Sequence, residues 1–131
     1  MHIAIIDDSN SARFLAGKVL RDLGYKDVIL LESAEAGLEW MKTDAFDLVL
    51  LDWNMGGMSG LDFLKILRSD PGNDKVAVIM VTTVNEKSNV VQALKIGVQG
   101  YVFKPITAAA IGPKLKTIEA RLIAESPGQT I

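Results

Sequence analysis

A chain of 131 residues with 49% apolar and 23% charged residues has the size and make-up of one soluble globular domain with a core of its own. A net charge of −2 gives no electrostatic reason to expect nucleic acid or an anionic membrane as partner. The lack of cysteine excludes disulfides, thiolate zinc sites and cysteine nucleophiles. The apolar residues after Met1 run into Asp7-Asp8, too short a stretch for a signal-peptide core. The longest apolar run, Val76–Val81, falls far below the roughly 20 residues that span a bilayer, so a cytoplasmic protein without membrane segments is expected.

The first apolar run, His2–Ile6, predicts a strand closed by Asp7 and Asp8. A helix follows, with Leu15, Val19 and Leu23 at every fourth position and Gly24 where a left-handed cap belongs; Asp8 is a candidate N-cap. Asp27–Leu31 predicts the second strand, and Ser33 caps a second helix carrying Leu38 and Met41. The third strand, Asp47–Leu51, ends at Asp52; Ser59 begins a helix with Leu61, Leu64 and Leu67 inward, stopped by Pro71-Gly72. Val76–Val81 is the fourth strand, followed by Thr82-Thr83 and a helix with Val90, Ala93 and Leu94 before Gly97. Gly100–Phe103 is the fifth, followed by Lys104-Pro105, Thr107 as cap and the stripe Ile111, Leu115, Ile118 and Leu122. Gly112-Pro113 interrupts that stripe, so a kink is expected, or a helix whose regular part begins at Pro113. The residues from Ala124 to Ile131 carry no apolar stripe and are expected to fray, giving a domain over 1–123 and a tail over 124–131.

Five repeats of strand then helix predict an α/β fold: a doubly wound (βα)5 domain whose five-stranded parallel sheet has helices on both faces. Sites in such folds form beyond the carboxyl ends of the strands, where strand order reverses. Asp7, Asp8, Asp52, Thr82 and Lys104 all fall at such ends. Singly, each is an ordinary turn former or solvated loop residue. Together, three carboxylates raise one another's pKa and favour a small hard cation such as Mg²⁺, which takes one or two carboxylates and keeps positions open for a phosphoryl oxygen. Lys104 would meet a phosphoryl group as a point charge, Thr82 would offer a hydroxyl, and Thr83 and the backbone after it amide donors.

The segments IAIIDDSNSARFLAGKVLRDLG, DLVLLDWNMGGMSGLDFLKILR, VIMVTT and GYVFKPITAAA resemble the receiver domain of two-component response regulators, especially the single-domain chemotaxis type, from Met1 to about Leu122. The resemblance implies a flavodoxin-like fold with strand order 2-1-3-4-5. It implies Asp52 as phosphoacceptor, Asp7 and Asp8 with Asp52 and the backbone carbonyl of Asn54 as the Mg²⁺ site, and Lys104 as the phosphate-pairing base. Pro105 would follow a cis bond, Thr82 would be the switch hydroxyl and Tyr101 the aromatic that moves with it. The implied donor is a histidine kinase or phosphotransfer protein. The implied output is a downstream protein bound by the fourth helix, fifth strand and fifth helix, where Lys87, Asn89, Val91 and Lys95 are candidate specificity positions. No nucleic acid contact and a monomer or weak dimer are expected, and the protein would signal rather than turn over substrate.

Two positions depart from the family pattern. Gly56-Gly57 stands where the family usually has proline after Met55, and Val84 where many relatives carry a polar residue; both changes bear on the metal loop and the path of attacking water. Other readings are weaker. An aspartyl-nucleophile Mg²⁺-dependent phosphatase needs a second acid where Asn54 stands, and an FMN carrier needs a phosphate loop where Asp7-Asp8 would repel it. The chain could also be the receiver piece of a longer regulator, although nothing basic or helix-turn-helix-like follows Leu122. Trp53 is expected as a loop cover able to report on the site, Met55 and Met58 as packing residues, and His2 as a surface residue.

Overall fold

Parallel pairing joins β1 (Ile3–Ile6) to β2 (Val28–Leu31) and to β3 (Leu48–Asp52), then β3 to β4 (Ala77–Thr82) and β4 to β5 (Gly100–Phe103). The sheet order is therefore β2-β1-β3-β4-β5, as expected. The helices are α1 (Asn10–Asp22), α2 (Ala34–Met41), α3 (Gly60–Ser69), α4 (Lys87–Ile96) and α5 (Ala108–Glu125), with a 3-10 turn at Pro71–Asn73. This computed structural model describes residues 1–83 and 87–125; Val84, the Lys87 side chain and the segment 126–131 lie outside the described residues.

Strand alternation builds two cores from one sheet. Ala4, Ile6, Val49, Leu51, Val78 and Met80 face Phe63, Leu64 and Leu67 of α3 and Ala93 of α4. Ile3, Ile5, Leu48, Leu50 and Ile79 face Ala16 and Leu20 of α1 and Ile111, Leu115 and Ile118 of α5. Each fully buried Leu, Ile or Phe contributes about 2 kcal/mol, so neither face of the sheet can be left bare. Met55 and Met58 pack against the first core, and Trp53 is buried within it.

At the carboxyl rim β3 and β4 each run one residue further than their apolar runs do. Asp52 pairs in register with Val81, and Thr82 with Phe103. Backbone hydrogen bonding is indifferent to side-chain polarity, so the polar residues that close an apolar run still belong to the strand. At the opposite rim His2, Asp27, Asp47 and Val76 stand just outside their strands. Gln99 fixes β5 against β4 twice: its amide donates to the Val78 carbonyl at 2.8 Å, and its side-chain oxygen accepts the Val78 amide at 2.6 Å.

Three local expectations need correction. The inward face of α1 is Arg13, Ala16, Gly17 and Leu20, while Leu15 and Leu23 are exposed. Small residues let this helix lie close: a Cβ at Gly17 would stand 3.2 Å from Leu30, so the large apolar residues mark the flank of the helix. Its N-cap is Ser9, whose hydroxyl accepts from the Ala12 amide at 3.3 Å; Asp8 is left for other work. Finally, the regular part of α5 does not begin at Pro113: the helix starts at Ala108 and runs through the proline to Glu125. Proline there removes one bond, to the Ala109 carbonyl in the first turn, where Ala109 is exposed to water, and burial of Ile111, Leu115 and Ile118 holds the helix together. The Ser33, Ser59 and Thr107 caps form as expected, accepting from Ala36, Asp62 and Ala110.

Candidate functional site

β1 passes between β2 and β3, so the connections after β1 and β3 leave in opposite directions and open a cleft at the carboxyl rim. Asp7 and Asp8 emerge there from β1, Asp52 from β3, Thr82 from β4 and Lys104 from β5. Asp7, Asp52 and Thr82 are buried, at 5%, 3% and 1% exposure, whereas Asp8 is open to solvent. One carboxylate oxygen from each of Asp7, Asp8 and Asp52 lies within 4.8 Å of the other two. The Lys104 ammonium donates to Asp7 Oδ2 at 3.1 Å and Asp52 Oδ1 at 3.2 Å. Residues up to 97 positions apart in sequence thus meet in one pocket, as expected for Asp7, Asp8, Asp52 and Lys104.

The local backbone holds these groups in place. Asp7 Oδ1 accepts the Ser9 amide at 2.9 Å, and the Asn54 amide approaches Asp52 Oδ1 at 3.4 Å. The Lys104–Pro105 peptide is cis. Gly60 begins α3 so near the end of β3 that a Cβ there would come within 2.4 Å of the Asp52 carbonyl oxygen. The Thr82 hydroxyl donates to the Thr83 carbonyl at 3.4 Å.

Charge balance in the pocket is incomplete. Burial, and then the neighbouring Asp7 carboxylate, push the Asp52 pKa up to about 6; Lys104 and the Asn54 amide act against that rise. Burial alone would lower the Lys104 pKa, but its bonds to Asp7 and Asp52 outweigh that and raise it. One ammonium therefore serves two buried carboxylates, with a third close by. An all-oxygen set with excess negative charge fits a small hard dication: Asp7, Asp8 and Asp52 supply carboxylates, and the Asn54 carbonyl follows two residues after Asp52.

Tyr101 lies on β5, away from this cleft. It is 39% exposed, edge-on to Phe103 at 5.6 Å between ring centres. With Val90, Val91 and Leu94 of α4 these rings line an apolar groove of about 290 Å³. A second hollow, about 340 Å³, opens beside Asp7 and Lys104 between Leu15 and Ile106.

Arg13 belongs to no motif in the sequence. It is buried on the sheet side of α1, donates from Nη1 to the Asp7 carbonyl at 2.7 Å and from Nη2 to Asn10, and so fastens the helix to the residue that leads into the pocket. Its signal was a cation on the inward face of a helix, visible only once that face was known. His2 is not a free surface residue. At the opposite rim its ring nitrogens meet Asp27 at 2.8 Å and Asp44 at 3.1 Å, and its ring packs on Phe46.

A doubly wound sheet with this rim is that of a receiver domain. The sequence matches the response regulator receiver domain family over residues 3–116, and the chain belongs to that family. It is 38% identical over 122 residues to chemotaxis protein CheY-3 of Vibrio cholerae serotype O1, covering 93% of this chain and 94% of that protein. It is 34% identical to chemotaxis protein CheY of Pseudomonas aeruginosa, covering 93% and 98%. Among solved structures it resembles the chemotaxis response regulator CheY4 of Vibrio cholerae, with a TM-score of 0.79, 25% identity and 89% and 97% of the two chains covered. No helix among the described residues is long and apolar enough to cross a membrane.

Proposed function

We propose that the chain is a phosphorylation-controlled switch of a two-component relay, of the chemotaxis type carried by its relatives, acting in the cytoplasm. The observation that carries this reading is the meeting of Asp7, Asp8 and Asp52 within 4.8 Å, with Lys104 bonded to two of them. Asp52 would attack the phosphorus of a phosphohistidine on a partner kinase or phosphotransfer protein. A P–O bond forms, the P–N bond breaks, and its electron pair returns to the partner's imidazole. Lys104 is placed to neutralise an equatorial oxygen of the transferred group. Asp7, Asp8, Asp52 and the Asn54 carbonyl would hold Mg²⁺, which when bound supplies further neutralisation of that charge. Water later attacks the same phosphorus and releases phosphate with the carboxylate restored, so the signal decays.

The acyl phosphate brings a charge of about −2 to the end of β3. Thr82, at the adjoining end of β4, can donate its hydroxyl to it, and the resulting space is one into which Tyr101 can turn. That movement would reshape the groove of Val90, Val91, Leu94, Tyr101 and Phe103 on the face of α4, β5 and α5, where a downstream protein would bind. The domain is then a two-state signalling element rather than a turnover enzyme. With Mg²⁺ and a small acyl phosphate, intact-mass measurement should show one added phosphoryl group, abolished by Asp52→Asn. Addition to the Asp52→Asn chain would sink the assignment.

A further inference from the structure

The loop between β3 and α3 is tied down from two directions by carboxylates of other elements. The Gly56 amide donates to Asp8 Oδ2 at 3.1 Å, and the Met58 amide donates to Glu35 Oε2 at 3.3 Å. Glu35 comes from the first turn of α2 and lies outside the acidic cluster. Gly57, between the two tied amides, has φ +75°, in the left-handed region. A Cβ there would stand 2.8 Å from Glu35 Oε2, so the residue that lets the chain turn also makes room for the carboxylate. Asp8 is the exposed member of the cluster, and among the described residues the Gly56 amide is the donor to its carboxylate.

We propose that Glu35 is a positioning residue for the acidic cluster: it holds the loop by the Met58 amide, and the loop holds Asp8 by the Gly56 amide. This rests on the metal-binding reading of the cluster. An exposed aspartate samples several rotamers, and a donor fixed behind it cuts that freedom, as outer hydrogen-bond partners do for metal ligands generally. A glycine-glycine loop is too permissive to supply the fixed donor unaided, and the tie to α2 supplies it. The chain therefore uses a second element, remote from the cluster in sequence, to aim an acid that it could not aim locally.

The test is Mg²⁺ affinity by calorimetry on the full chain, for wild type, Glu35→Ala, Glu35→Gln, Asp8→Asn and the Glu35→Ala/Asp8→Asn double variant. Glu35→Ala should weaken Mg²⁺ about tenfold. Glu35→Gln, which keeps an acceptor oxygen without the charge, should recover most of that loss. In the Asp8→Asn background Glu35→Ala should have no further effect, because its action passes through Asp8. Without metal, the Gly56 amide proton should move upfield in both Glu35→Ala and Asp8→Asn. Equal weakening in both backgrounds, or an unmoved Gly56 proton in Glu35→Ala, overturns the positioning role while leaving the metal site intact. Failure of the wild-type chain to bind Mg²⁺ overturns the metal reading and the positioning role with it.

Discussion

Replacing Asp52 by asparagine isolates the electrostatic cost of placing an acid in this pocket. The Asp52 pKa rises from 3.8 to about 6, chiefly through burial and then through Asp7. Two units correspond to about 3 kcal/mol of disfavour for the charged form, at about 1.36 kcal/mol per unit. A raised carboxyl pKa means that the folded state holds the proton more tightly than the unfolded chain. Stability from this group is therefore highest below about pH 4 and falls as pH rises from 3.8 through about 6. Asparagine has no charge to bury, and Lys104 keeps its bond to Asp7 at 3.1 Å, so the loss of the second bond offsets only part of the gain. Asp52→Asn should stabilise the protein by about 2 kcal/mol at pH 7.5, or roughly 6–8 °C in Tm for a domain of this size. The assay is urea unfolding in chelator from pH 4 to pH 8, with both chains side by side. The difference should close toward pH 4, and Mg²⁺ at 100 times its Kd should stabilise wild type by about 2.7 kcal/mol. A variant no more stable than wild type at pH 7.5, or a gap that does not change with pH, would refute this account.

Three other expectations follow from the geometry. Gly60→Ala places a Cβ against the Asp52 carbonyl, an atom that cannot step aside, and should cost about 1–3 kcal/mol in urea unfolding while weakening Mg²⁺ binding. The pKa of His2 is lowered by burial but raised more by Asp27 and Asp44, for a net rise above 6.5. His2→Gln should therefore destabilise most below pH 6.5, with the difference fading as pH climbs through the raised value; a pH-independent difference would show that the ion pairs contribute nothing. Pro113→Ala restores an amide donor inside α5 and should stabilise by about 1–2 kcal/mol, a helix gain of up to about 3 less an unfolded-chain entropy of up to about 1. A less stable variant would mean that the proline is relieved in a way the helix geometry does not reveal.

What could be seen in the sequence, and what could not, divides along a physical line. The central strands β1, β3 and β4 are buried on both faces and appear as nearly unbroken apolar runs, and the part-exposed edge strands β2 and β5 were found by their short apolar runs at the same spacing, with the acids and base that close the runs legible from Asp7 to Lys104. The strand order came with the family resemblance, since periodicity alone does not order a sheet. The buried face of α1 was missed because Ala16 and Gly17 carry little hydrophobic signal, although small size is what lets that helix approach the sheet. Arg13 went with it. The Ser9 cap was hidden because Asp7, Asp8 and Ser9 are all capable caps, and only the backbone shows which one stands at the helix start. His2 and Glu35 were invisible for another reason: their partners lie 20 or more residues away and belong to no motif.

Gln99 gives the β5 end of the pocket its accuracy. A strand advances about 3.3 Å per residue, so a slip of one position at β5 would carry the Lys104 ammonium beyond hydrogen-bond reach of both acids. It would also turn every side chain of β5 to the other face. By matching the carbonyl of Val78 with its own backbone amide and the amide of Val78 with its side-chain oxygen, Gln99 at the far rim sets the ruler against which the lysine is measured. Placement of a charge at one end of the sheet is thus decided by a polar residue at the other.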